Sequence, residues 1–261
     1  MGKTKCIAFA NNKGGSGKTT SCANVGYCLW TMGEKVLLID GDMQMNLSLS
    51  FFDEERVMEF ATGGHNLYTA ILEDDDLGNY IVNTDYDGLD LIPSSTLMSG
   101  MEYKLFSMDN RELRLKKSIS KLLKSGKYDY ILIDAPPTLG GWVMNILAVA
   151  DSVIVPVEAS PWGLFGLANM FDFIDEAKKL NKGISLLGIA LTKVDIRKNY
   201  YKQTAETLGE ADIAVFNSII RIDREVEWAQ DNSKPIMAYK KNARSALEYL
   251  DLAKEVDNKC Q

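Results

Sequence analysis

Residues 13–20, Lys-Gly-Gly-Ser-Gly-Lys-Thr-Thr, set glycines, lysines and hydroxyls at a spacing suited to polyphosphate chemistry. Gly14, Gly15 and Gly17 leave the backbone free to take positive φ, so that successive N–H groups can turn inward around an anion at the start of a helix. Lys18 adds a point charge for the β- and γ-phosphates, and the Thr19 hydroxyl suits one position on a bound magnesium ion. The expected nucleotide contacts are Lys13, Gly14, Gly15, Ser16, Gly17, Lys18, Thr19 and Thr20. The usual G-x-x-x-x-G-K-[ST] spacing asks for glycine at Asn12, and this chain instead carries a second lysine, Lys13, inside the loop. Lys13 is either a solvated loop residue or a second charge with a purpose of its own.

Three aspartates complete the chemistry. Lys35–Ile39 is a short apolar run that closes on Asp40, with Asp42 two residues on, and ligands of open parallel sheets gather where strands end. Two roles are open for this pair: metal and water chemistry, or capping of a helix that begins near Leu47. The run Tyr128–Pro137, YDYILIDAPP, is a buried strand ending in Asp134, which either holds magnesium through a water or simply terminates the strand.

The elements that must position these groups follow from the apolar periodicity. Cys6–Ala10, Lys35–Ile39, Leu89–Ile92, the run before Asp134, Ser152–Val157 and Ile184–Leu191 have the length and composition of buried parallel strands. Helices are expected from Thr19 to Trp30, over Leu67–Leu72 and Arg111–Leu123, within Trp162–Leu180, and beyond Ala243, where Leu247, Leu250, Ala253 and Val256 form a stripe. Most of Asn46–Ile92 is less legible, and the only histidine, His65, falls in an expected surface loop. This alternation predicts an α/β fold in one domain over residues 1–261, a doubly wound, mostly parallel sheet with helices on both faces, and the glycine-lysine motif after its first strand makes it resemble the P-loop NTPase fold.

Composition narrows the function classes. The net charge of −7 excludes a surface that is basic everywhere, so any nucleic-acid contact needs a local patch. Residues 193–244 hold ten Lys or Arg against eight Asp or Glu, a local excess of +2, whereas the remainder carries 19 against 28. Cys6, Cys22, Cys28 and Cys260 form no C-x-x-C pair, which suits reduced thiols better than a disulfide framework. No apolar run reaches the roughly 20 residues of a membrane span, and a cytoplasmic protein is expected.

The loop KGGSGKTT resembles the deviant Walker A of the ParA/MinD ATPases, and the likeness extends through Asp42 and Asp134 over nearly the whole chain. The resemblance implies ATP and magnesium as cofactors, with Lys13 reaching the nucleotide of a partner subunit in a face-to-face ATP-bound homodimer. It implies Lys13, Lys18 and Asp42 as catalytic residues, Asp42 directing the attacking water, and Thr19, Asp40 and Asp134 around the metal. Met43 and Ile220 stand where the family commonly has proline. In IIRIDREVEWAQDNSKPIMAY, the resemblance places Arg221 and Arg224 on DNA-contacting positions, with Arg197 near another; an ordinary solvated helix face is the alternative. It further implies plasmid or chromosome partition, sequence-independent DNA binding, nucleoid association with ATP, and a ParB-like activating protein. The loop begins so near the N-terminus that no preceding helix-turn-helix is expected. Among rivals, the tail EVDNKCQ lacks the basic amphipathic face of a MinD-like membrane-cycling ATPase, so no stable membrane association is expected. The cysteines do not suit an iron–sulfur carrier, while an ATP-dependent synthetase of the cobyrinic acid or dethiobiotin type stays open on fold.

Overall fold

Runs rich in Ile, Leu and Val become strands wherever helices can cover them from both sides, and the sheet is built from such runs. The computed structural model describes residues 3–160 and 163–261. Its strands are β1 (Lys5–Phe9), β2 (Val36–Asp40), β3 (Val82–Asn83), β4 (Leu89–Ile92), β5 (Tyr130–Asp134), β6 (Ser152–Glu158), β7 (Ser185–Val194) and β8 (Val215–Arg221). They form one sheet in the order β3-β4-β2-β5-β1-β6-β7-β8. Every neighbouring pair is parallel except β3 with β4, so the fold is the expected mainly parallel α/β sheet.

Alternation along each strand divides the core between two faces. Ile7, Phe9, Leu38 and Leu132 face the helices Lys18–Thr31 and Arg244–Cys260. Cys6, Ala8, Leu37, Ile39, Ile131 and Ile133 face the other side, covered by Arg114–Ser125, Gly141–Val149 and Leu167–Ala177. The first helix approaches the sheet closely at Gly26, where a Cβ would lie 2.6 Å from Leu38 Cδ2. The register sets Asp40 and Phe9 on either side of Asp134, so the loops leaving β1, β2 and β5 share one edge of the sheet.

Strand and helix ends differ from the sequence expectations by small amounts with local causes. The expected helix over Arg111–Leu123 opens as a 3-10 turn, Arg111–Leu113, and becomes α-helical from Arg114. The helix expected within Trp162–Leu180 occupies Leu167–Ala177, and Trp162 lies outside the described residues. Beyond Leu67–Leu72, the less legible region contains Glu54–Thr62, which Asp53 caps by accepting from Arg56 N at 2.9 Å. Cys6, Cys22, Cys28 and Cys260 are free thiols, and His65 is exposed beside Tyr80. Among the described residues no helix is long and apolar enough to cross a membrane.

Leu132 on central β5 is fully buried. Replacing it with alanine should cost about 3 kcal/mol, the middle of the range for buried leucines. Urea unfolding reads this directly, and a loss below about 1 kcal/mol would contradict a close-packed position there.

Candidate nucleotide and metal site

The chain leaves β1 and folds into the glycine loop with Gly15 at φ +71° and Gly17 at φ +87°, conformations that side-chain-bearing residues rarely take. Gly17 caps the helix Lys18–Thr31 without a side-chain hydrogen bond, leaving the first N–H groups of that helix for an anion. From the neighbouring end of β7, Thr192 Oγ1 donates to Ser16 O at 2.8 Å and pins the loop. A Cβ on Gly17 would meet Thr192 at 3.4 Å. Thr192 was not apparent from sequence, because its role depends on β7 lying two strands from β1.

Lys18 is buried, and its ammonium donates to Lys13 O at 3.2 Å, curling the loop around the charge. Burial pulls the Lys18 pKa below the usual lysine value, against the opposing influence of Asp134 and then Asp42. Across the crevice, Thr19 Oγ1 donates to Asp134 Oδ2 at 2.6 Å. The other oxygen, Asp134 Oδ1, is buried with no hydrogen-bond partner. Burial first, and the nearby Asp40 carboxylate second, push the Asp134 pKa well above the usual carboxylate value.

This arrangement fits a magnesium ion. An orphaned carboxylate oxygen beside a threonine hydroxyl offers two hard oxygen donors, whereas no cluster of three or more His, Cys, Asp or Glu suited to a metal occurs among the described residues. Magnesium keeps several waters and shares its remaining positions with phosphate, so it needs few protein ligands.

Asp40, expected near the metal, lies beside Asp134 but commits both oxygens to its own loop. Oδ2 accepts from Ser48 N at 2.8 Å and Ser48 Oγ at 2.7 Å, and Oδ1 accepts from Asp42 N at 3.3 Å. Burial raises its pKa to about 6 despite these donors. Asp40 thus anchors the turn that carries Asp42. Asp42 Oδ1 accepts from Gln44 N at 3.1 Å, and its side chain lines a 210 Å³ cavity together with Gly15, Lys18, Thr19 and Asn46. An adjoining 370 Å³ cavity is lined by Thr20, Ile220, Ile222, Val226 and Tyr249, with the carboxylates of Asp223 and Glu227. Lys193 lines both cavities.

Lys13 points elsewhere: its ammonium lies 3.5 Å from Glu158 at the end of β6, and it lines a separate hollow with Phe165 and Gly166. The three arginines expected to contact DNA lie near the ends of neighbouring strands, since Val194 on β7 pairs in register with Arg221 on β8. Arg221 is engaged by Glu248, to which both its backbone N–H, at 2.9 Å, and its guanidinium donate. Arg197 is 86% exposed and paired bidentately with Asp195 through two 2.8 Å bonds. Arg224 is exposed at the start of the helix Arg224–Asp231.

A family model described as an AAA domain matches residues 4–186. The sporulation initiation inhibitor protein Soj of Bacillus subtilis (strain 168) is 35% identical, covering 97% of this chain and 98% of its own length. The chromosome partitioning protein ParA of Caulobacter vibrioides (strain NA1000 / CB15N) is 33% identical, covering 97% and 93%. Among solved structures, a plasmid partition protein from Borrelia burgdorferi B31 bound to AMPPNP superposes with TM-score 0.82 at 28% identity, over 99% of this chain and all of that one. Cobyrinic acid a,c-diamide synthase from Mycobacterium smegmatis, with bound ADP and magnesium, gives TM-score 0.80 at 27% identity over 96% and 93%. Because likeness to Soj and ParA runs through nearly the whole chain rather than the phosphate loop alone, the chain belongs to the ParA family of partition ATPases.

Proposed function

We propose that this chain hydrolyses ATP with magnesium, dimerises when ATP is bound, and in that state binds DNA without sequence preference to move a plasmid or chromosome. The observation that carries the ATPase reading is the Thr19–Asp134 hydrogen bond with Asp134 Oδ1 left over beneath the cradle. Thr19 and Asp134 would hold magnesium, directly or through water. Magnesium, when bound, neutralises charge on the phosphoryl oxygens. The loop from Gly14 to Thr20 holds the phosphates, and Lys18 stabilises charge that develops on the transferred group. The 370 Å³ cavity beside Thr20 has the place and apolar lining for the nucleoside. Asp42 accepts a hydrogen bond from the attacking water and aims it at the γ-phosphorus.

In the dimer, Lys13 exchanges Glu158 for a phosphate of the facing subunit. A partly exposed ion pair is worth only about 0–1 kcal/mol, so the exchange costs little against a charge-assisted bond to phosphate. The face that meets DNA is the edge bearing Arg197, Arg221 and Arg224. Arg221 serves partly as a brace, since Glu248 already accepts from it. A cytoplasmic location with nucleoid association, and a ParB-like protein that accelerates hydrolysis, complete the reading. The fold likeness to cobyrinic acid a,c-diamide synthase favours a second reading, an ATP-dependent synthetase. The two part on DNA: a synthetase would show no ATP-dependent DNA binding.

Lys18→Ala should abolish tight ATP binding in calorimetry; undiminished affinity would remove the phosphate-loop assignment. Asp42→Ala should bind ATP normally, stop turning it over, and accumulate as an ATP-bound dimer on a sizing column, and parental turnover would reduce Asp42 to a loop residue. DNA binding, measured with no nucleotide, ADP and ATP, should appear only with ATP and fall steeply with salt. Arg224→Ala should then reduce the salt slope by about one unit per lost contact while the dimer persists. A parental slope would place the DNA face elsewhere, and no binding in any nucleotide state would favour the synthetase.

A further inference from the structure

We propose that Trp142 is a positioning residue that sets the direction of Asp42, and that Glu102 holds Trp142 in place to do so. The inference rests on the reading of Asp42 as the group that aims the attacking water. It begins at the peptide joining Gly41 to Asp42, which is held at both ends. Its carbonyl accepts from the Trp142 indole, Nε1 to Gly41 O at 2.9 Å, and its N–H donates to Asp40 Oδ1 at 3.3 Å. The Gly41 N–H in turn donates to Asp134 O at 3.0 Å. A Cβ on Gly41 would lie 2.6 Å from Asp134 O and 3.4 Å from Trp142 Nε1, so the segment is gripped between the metal-side strand and the indole.

Trp142 itself is 2% exposed, and a buried indole needs an acceptor; here that acceptor is the backbone carbonyl adjoining Asp42. The ring stands at the start of the helix Gly141–Val149, where the first N–H groups need partners. Glu102 supplies them from a distant helix, Met101–Phe106: Oε2 accepts from Gly141 N at 2.9 Å and Oε1 from Trp142 N at 3.1 Å. The glycine at 140 gives the Glu102 carboxylate room, since a Cβ there would press against its end. Trp142 therefore joins two sets of hydrogen bonds: its backbone is held by an exposed carboxylate, and its buried indole holds the peptide plane that orients Asp42. Losing the indole N–H leaves the phosphate cradle, Lys18 and Thr19 untouched, so the effect should fall on turnover and not on nucleotide affinity.

The test compares Trp142→Phe, Glu102→Ala and Asp42→Ala with the parent, measuring kcat, ATP affinity by calorimetry and thermal unfolding for each. Trp142→Phe keeps an aromatic ring in the core but has no donor; kcat should drop about tenfold with ATP affinity within about twofold of the parent. Glu102→Ala, a change at an exposed position, should lower kcat about two- to threefold in the same pattern. A purely structural role for Trp142 predicts instead a lower unfolding temperature with parental kcat in the folded fraction, and that result overturns the proposal. Should Trp142→Phe be unfolded at the assay temperature, Glu102→Ala decides: parental kcat there overturns the proposal, and a selective loss supports it. Parental kcat in Asp42→Ala would overturn the reading of Asp42 and this inference with it, whereas an inactive Asp42→Ala beside a fully active Trp142→Phe overturns this inference alone.

Discussion

The hydrogen bond between Thr19 and Asp134 joins the two halves of the site, and the rest of the structure is arranged so that it can form. Thr19 lies at the start of a helix and Asp134 at the end of a strand 115 residues later, so only the pairing of β1 with β5 brings them to 2.6 Å. Parallel register does this economically: Phe9 pairs with Asp134, and the chain then turns directly into the glycine loop. Burial on both sheet faces prevents slippage, since a one-residue shift would invert the alternation that separates Ile131 and Ile133 from Leu132. The same burial makes the carboxylates costly. Asp134 and Asp40 both hold their protons more tightly than usual, mainly because of desolvation, and Lys18 offsets part of that cost at Asp134.

How much of this could be read in the sequence depended on whether local pattern or long-range packing decided the element. KCIAF, VLLID and YILID are mainly apolar runs ending at turn-forming or acidic residues; β1 and β2 lie within a residue of expectation, and β5 starts two residues after Tyr128 and ends at Asp134 as expected. β8, VFNSIIR, was missed because its burial alternates and its middle is polar; it is an edge strand whose Asn217 and Ser218 are tied to Glu255 of the terminal helix. β3 is only two residues long, too short for any period. The helix Glu54–Thr62 carries a capping aspartate and an acidic first turn, signals that its polar surroundings obscure.

In the site, residues on one continuous motif were legible and residues brought by other strands were not. Gly14 to Thr19 announce a cradle by spacing alone. Thr192, which pins Ser16, and Ser48, which takes up Asp40 Oδ2, depend on pairings that spacing does not encode. Asp40 and Asp42 look equivalent as two acids on alternate positions, yet the fold separates them: one turns inward to three donors, the other lines the cavity. Charge counting points to the segment from Lys193 to Arg244, but several of its cations are already paired with carboxylates. Arg221 meets Glu248, Arg197 meets Asp195, and Lys240 meets Glu225.

That pairing bears on how an acidic chain could engage DNA at all. A cation already held by a carboxylate carries little net field beyond the pair, so a few such residues on one subunit attract a phosphate backbone weakly. Two routes raise the attraction: doubling the patch by bringing two subunits together, and exchanging the carboxylate partner for a DNA phosphate. Exchange carries a cost, because it takes an arginine from Glu248 or Asp195, both largely buried carboxylates; Glu248 keeps Arg244 at 3.5 Å, whereas Asp195 gives up the guanidinium paired with it. Of these two paired arginines Arg197 is the more open to a phosphate, being 86% exposed against 31% for Arg221. On the proposed reading, an edge whose cations differ in availability gains most where a second subunit brings a second copy of it to the same phosphate backbone.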